Sequence, residues 1–122
     1  MTFPSLPLPD TLSKIAPSIA DWAASQPLID AVYLFGSRVR GTTHDRSDLD
    51  VALALATPTG GTPFDQFEPN CDSWRDTLSH LTGLDVDLKL ASKVDHPQTW
   101  RFLKGGCACI YVRQAREEAR SE

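Results

Sequence analysis

Four short segments have the apolar pattern of β-strands: residues 28–35, 48–56, 84–91 and 107–112. The first is rich in β-branched and aromatic side chains and ends at Gly36. In the second, leucines and a valine occupy every other position, so they share one face, while Asp48 and Asp50 lie on the opposite face. The third alternates in the same way, and its polar face carries Asp85 and Asp87.

Other segments repeat their apolar residues with the period of a helix. Asp10 can cap a helix over residues 10–23, but Pro17 interrupts it, which predicts either a kink or two short helices. A second helix is predicted from about residue 70 to residue 82. A third is short and begins near Pro97. Residues 57–63 contain two glycines and two prolines and are predicted to be a loop.

The 122 residues are enough for one domain with a substantial core. Residues 1–9 contain three prolines and predict an extended arm, residues 10–112 contain all the periodic segments, and residues 113–122 form a polar tail. The net charge of −4 argues against extensive nucleic-acid binding. No apolar run approaches the ~18 residues of a membrane span, and no signal pattern begins the chain, so we expect a cytoplasmic protein.

The three cysteines do not have the spacing of a zinc site. Cys107 and Cys109 are two residues apart in an apolar run, so as strand residues they would point to one face. We interpret the cysteines as core thiols of a protein that resides in a reducing compartment.

Acidic side chains at the strand ends are the first candidates for chemistry. Asp48 and Asp50 project together from one strand, and Asp87 would join them if the two strands are neighbours. Two carboxylates at ~4 Å repel each other by about 4 kcal/mol at an effective dielectric constant near 20, so such a cluster favours a cation between them. Oxygen ligands suit Mg²⁺. Asp85 lies on the same strand face as Asp87 and is the alternative third acid.

The turn at Gly36 and Ser37 supplies a second candidate function. A glycine lets the backbone approach a phosphate closely, and the N–H groups of the turn, together with the Ser37 hydroxyl, can bind phosphate oxygens. Arg38 and Arg40 follow directly and could add charge-assisted contacts to a triphosphate, or they could be surface charges.

These residues together resemble the signature of minimal nucleotidyltransferases in the DNA polymerase beta superfamily. The stretch LFGSRVRGTTHDRSDLDVAL, residues 34–53, contains Gly-Ser, a second glycine and Ser-Asp-x-Asp. The later segment DVDLKL is similar to the strand that holds the third acid, and Asp87 is its best match. The segment FLKGGCACIYV is similar to the closing helix, glycine and strand, although Lys104 stands where an acid commonly precedes the glycine.

The resemblance implies a single small α/β domain, with a nucleotidyltransferase-like mixed β-sheet flanked by helices. It implies transfer of a nucleoside monophosphate, AMP from ATP, to a hydroxyl group, with two Mg²⁺ ions as cofactors. By analogy Asp48 and Asp50 bind both ions, and Asp87 binds the catalytic ion and helps to deprotonate the acceptor. The nucleotide would be bound by residues of the Gly-Ser turn and its neighbours: Gly36, Ser37, Arg38 and Arg40.

Stand-alone relatives of this size often resemble the antitoxin of a pair with a HEPN-type toxin, which implies a protein partner that receives AMP. Two alternatives stay open at this point. The chain could be a binding module that inhibits its partner sterically, or it could modify a small molecule of the aminoglycoside type.

Overall fold

The strands form one mixed sheet in the order β3-β2-β1-β4. Their bounds are β1 Ile29–Phe35, β2 Leu49–Leu55, β3 Val86–Leu90 and β4 Ala108–Val112. The central strand β1 is antiparallel to both β2 and β4, whereas β2 and β3 are parallel. This computed structural model describes residues 3–41, 48–57 and 61–113. The predicted tail from residue 114 onward, and residues 58–60 of the loop predicted at 57–63, lie outside the described residues.

Helices occupy both faces of the sheet, which confirms the predicted α/β class. Their bounds are α1 Asp10–Ser13, α2 Ala16–Ala24, α3 Ser37–Arg40, α4 Pro63–Phe67, α5 Cys71–Thr82 and α6 Pro97–Lys104. Helices α2 and α5 lie against the main core, where the rings of Trp22 and Trp74 meet edge to face at 6.4 Å. Helix α6 buries Leu103 against Phe35 and Ala52 on the other face.

The alternation along the strands decides what each face of the sheet carries. The leucines of β2 and β3 and their valines enter the main core and are almost completely buried. The intervening positions of β2 and β3 therefore face α6. Asp50 and Asp87 belong to this second set, and both are half-buried. The predicted assignment of the two faces of β2 is thus confirmed.

Local sequence explains the helix boundaries. Pro17 lies in the first turn of α2, where its missing N–H is not needed, so the predicted segment divides into two helices and does not kink. Helix α4 was not predicted. It begins with a capping box in which the Thr62 hydroxyl accepts from the Asp65 N–H at 3.2 Å, and the Asp65 carboxylate accepts from the Thr62 N–H at 3.0 Å.

Both ends of the described chain are held to the rest of the domain by hydrogen bonds. In the arm, Ser5 forms a parallel β-bridge with Cys107, and the Leu6 N–H donates a hydrogen bond to the Cys107 carbonyl at 2.9 Å. At the other end, Arg113 was predicted to belong to the polar tail, yet its guanidinium donates to the carbonyls of Ala23 and Gln26 at the end of α2. Its Nε also donates to the Ile29 carbonyl at 2.9 Å. Arg113 therefore connects helix α2 to the sheet.

The cysteines are free thiols, as predicted. Cys107 is buried and Cys71 is half-buried, but Cys109 is exposed, so the prediction of a core thiol is wrong for Cys109. Cys109 lies on the edge strand β4. The arm covers this edge at Cys107, through the bridge with Ser5, and leaves Cys109 exposed. Among the residues that the structure describes, no helix has the length and apolarity needed to span a membrane.

Candidate active site

Asp50 and Asp87 face each other across the parallel strands β2 and β3. They are direct register partners, so their side chains lie side by side on one face of the sheet, and the charge of Asp87 acts on Asp50. A hydrogen bond of 2.8 Å from the Leu49 N–H to the Asp85 carbonyl begins this ladder. Asp85 itself is exposed and precedes the strand. The geometry therefore brings Asp87, and not Asp85, to Asp50.

The environment of Asp50 disfavours its charged form. Burial and, after it, the negative charges of Asp87 and Asp48 together raise the pKa of the Asp50 carboxyl from an ordinary value of 3.8 to about 6. The ammonium group of Lys89 acts in the opposite direction. A carboxylate held among like charges is stabilised by any cation that binds beside it.

Gly36 brings the backbone to the same place. It lies between β1 and α3 with φ +84° and ψ −162°, a conformation that side-chain-bearing residues rarely adopt. A Cβ built on Gly36 would lie 2.9 Å from Cγ of Asp50, and closer still to a carboxylate oxygen. Only glycine therefore allows the turn to lie this close to the Asp50 carboxylate.

A cleft of about 390 Å³ opens between the sheet and α6. It is lined by residues of β1, β2, β3 and α6 together with the turn: Phe35, Gly36, Asp50, Asp87, Lys89, Gln98, Thr99 and Phe102. Its size is within the range of small-molecule sites. Three of the site residues predicted from sequence, Gly36, Asp50 and Asp87, thus share one cleft.

The third predicted acid is placed differently. Asp48 lies just before β2 and is exposed, although its charge acts on Asp50. Across residues 3–41, 48–57 and 61–113, no three acidic, histidine or cysteine side chains form a ready metal-ligand set. The expected convergence of three carboxylates is therefore seen for Asp50 and Asp87 only. Two carboxylates still fit Mg²⁺, which is usually bound through one or two of them, with phosphates and water completing the octahedron.

The other predicted nucleotide-binding residues lie on α3. Ser37 is its half-buried first residue, and Arg38 is half-buried beside it. Arg40 is exposed, and its guanidinium donates a hydrogen bond to the Gly105 carbonyl at 3.2 Å. Arg40 thus joins α3 to the end of α6, a structural role that was not predicted.

Several cleft residues were not predicted from sequence. The Lys89 ammonium lies 3.4 Å from Oδ1 of Asp87 and contributes a positive charge to the cleft. Its signal was present in the sequence, since Asp87 and Lys89 are two apart on one strand and share a face. Gln98 and Phe102 come from α6, and no local pattern links that helix to the acidic strands.

A family model described as polymerase beta, nucleotidyltransferase matches residues 18–115, most of the chain. The chain belongs to this nucleotidyltransferase family. The matched region contains the turn, both paired carboxylates and α6. No functionally curated protein matches the sequence at a significant level.

Two solved structures are similar to this nucleotidyltransferase domain. One is a candidate nucleotidyltransferase from Sulfolobus solfataricus, with 25% identity, a TM-score of 0.49 and coverage of 84% of each chain. The other is a chain of a toxin–antitoxin structure with AMP-PNP, with 24% identity, a TM-score of 0.48, and coverage of 90% of this chain and 77% of that chain. Because both TM-scores are below 0.5, the family assignment rests on the sequence match.

Proposed function

We propose that this chain is a Mg²⁺-dependent nucleotidyltransferase that transfers AMP from ATP to a hydroxyl group of a partner protein. The observation that carries the proposal is the pairing of Asp50 with Asp87 across β2 and β3, directly beside Gly36. Paired acids next to a backbone turn suit a divalent cation and the phosphates that it accompanies. The family match supports the same class of reaction.

The residues of the chain divide the work as follows. The turn at Gly36 and Ser37 holds phosphate oxygens through backbone N–H groups and the serine hydroxyl. Asp50 and Asp87 would hold Mg²⁺, and Asp48 would be a further ligand. In the arrangement that the family resemblance implies, a second Mg²⁺ ion would bind to the same carboxylates. When bound, Mg²⁺ neutralises the charge that develops on the phosphate oxygens.

The proton of the acceptor hydroxyl passes to the carboxylate of Asp87. The acceptor oxygen then forms a bond to the α-phosphorus, the bond from that phosphorus to the bridging oxygen breaks, and pyrophosphate leaves. Lys89, at 3.4 Å from Asp87, helps to keep this carboxylate oriented. Arg38 is the second residue of α3, directly after the Gly36–Ser37 turn, and its guanidinium is proposed to contact the triphosphate.

A protein acceptor is supported by exposed apolar surface on the loop that leads into α6, where the Val94 side chain is 87% exposed. A HEPN-type toxin as this partner is carried over from the family resemblance, and a cytoplasmic location from the apolar pattern of the sequence.

Incubation with ATP labelled at the α-phosphate, Mg²⁺ and the co-purifying protein from the native host tests the proposal. We expect label on the protein and a mass increase by whole AMP units. Asp50→Asn should abolish labelling while the partner complex still forms. Label on a small molecule would instead identify the aminoglycoside-type activity, and a stable complex without label would identify a steric inhibitor.

A further inference from the structure

Phe102 has an unusual position for a surface aromatic residue. It lines the cleft from α6 and is 55% exposed. Its ring is nearly parallel to that of Phe35, with an angle of 26° and a centroid distance of 6.3 Å. Phe35 is only 5% exposed and is anchored in the smaller core, so it supports Phe102 from one side. The remaining ring surface is open to a flat ligand.

Gln98 lies on the same side of α6, four residues before Phe102, so the two side chains are about 6 Å apart along the helix axis. Gln98 also lines the cleft. Its amide offers two donors and one acceptor, the combination that pairs with N6 and N7 of adenine. Guanine presents two acceptors at the corresponding edge and cannot receive the same pair of contacts.

The opposite wall of the cleft carries Gly36, Asp50 and Asp87. When the phosphates of a nucleotide bind there, its nucleoside extends along the cleft towards α6. That helix presents the aromatic ring of Phe102 and the amide of Gln98. We infer that Phe102 and Gln98 form the base subsite, in which Phe102 stacks on adenine and Gln98 contacts its edge. The inference deepens the proposed function and rests on it.

Binding measurements separate the base from the phosphates. Isothermal titration in Mg²⁺ would compare a non-hydrolysable ATP analogue with inorganic tripolyphosphate. We expect Phe102→Ala to weaken binding of the analogue by about 5- to 150-fold, the range for loss of one aromatic–base stack, and to leave tripolyphosphate binding unchanged. Phe102→Trp keeps an aromatic ring and should bind the analogue as the unmodified protein does. The matched control is Leu81→Ala, which removes an exposed apolar side chain on α5. It should change neither the binding of the analogue nor that of tripolyphosphate.

Gln98 is tested by base preference. Gln98→Ala should reduce the ratio of ATP to GTP affinity and leave tripolyphosphate binding as it is. The inference is overturned if Phe102→Ala binds both probes as the unmodified protein does, or if it raises only the KM for the acceptor. If the unmodified protein binds neither probe, the proposed function itself fails and the subsite falls with it.

Discussion

The backbone of Gly36 lies against the carboxylate of Asp50, and this contact joins the turn after β1 to the acids of β2. It exists because Gly36 has a positive φ and no side chain, and because β1 and β2 are antiparallel neighbours that pair Phe35 with Asp50. The turn that is proposed to bind phosphate and the carboxylates are therefore one structural unit.

Gly36→Ala tests that unit. The added Cβ would overlap Asp50, and the backbone conformation costs about 1–3 kcal/mol for a residue other than glycine. We expect a lower melting temperature and loss of nucleotide binding. Gly83→Ala is the matched control, since Gly83 also has a positive φ, but no atom lies within 4 Å of the added Cβ. Both variants should lose stability, whereas unchanged nucleotide binding in Gly36→Ala would contradict the arrangement.

Asp87→Asn and Asp85→Asn separate the two acids that the sequence left as alternatives. Only Asp87 is paired with Asp50, so its replacement should reduce AMP transfer by at least about 10²-fold, the lower end for loss of an acid–base group. Asp85→Asn should retain near-normal rates, because its side chain is exposed and precedes the strand. Single-turnover labelling measures both. Equal losses in the two variants would show that overall acidity, not position, matters.

The raised pKa of Asp50 predicts a stability that depends on pH. An acid whose pKa rises on folding binds more protons in the folded state, so its ionisation costs stability as pH rises from 3.8 to about 6. Without Mg²⁺, Asp50→Asn should therefore melt higher than the parent at pH 7, by roughly 2–5 °C after allowing for the screening of a half-exposed carboxylate. The difference should vanish near pH 4, and a pH-independent difference would exclude this cause.

Mg²⁺ binding should depend on the same carboxylate. Protons compete with the cation, so the apparent affinity for Mg²⁺ in the presence of the ATP analogue should fall as pH drops below about 6. Titration at several pH values measures this. In Asp50→Asn the pH dependence should be lost together with most of the affinity.

Arg113 predicts a stability effect at the other end of the sheet. Its guanidinium donates to the carbonyls of Ala23 and Gln26 and to the Ile29 carbonyl. Arg113→Ala should cost about 1.5–3 kcal/mol of unfolding free energy, the range for hydrogen bonds to a charged group. Arg75→Ala removes an exposed ion pair with Asp72 and should cost at most about 1 kcal/mol. Urea denaturation measures the free energy of unfolding of both variants. An equal loss in the two would contradict a special role for Arg113.

Local pattern predicted the elements of the fold well, because short-range effects decide them. Strict alternation places the leucines of β2 in the core and Asp50 on the opposite face, and Gly83 ends α5 with a positive φ. Helix α4 was missed because its capping box is followed by only one turn, with too few apolar residues to show a period. The exposure of Cys109 was missed because it depends on β4 being an edge strand, and the order of the strands in the sheet cannot be obtained from a local pattern.

The sequence by itself determined the strand faces and the residues of the turn and acidic motif, since each depends on side chains a few positions apart, and its resemblance to the family indicated the α/β class. Tertiary structure alone decided that Asp87 rather than Asp85 meets Asp50, that Asp48 stays exposed, and that α6 walls the cleft. Strand register brings together Asp50 and Asp87, which are 37 positions apart, and helix docking brings together Gly36 and Phe102, which are 66 positions apart. Periodicity in the sequence carries no information on those distances, because they follow from how the faces pack.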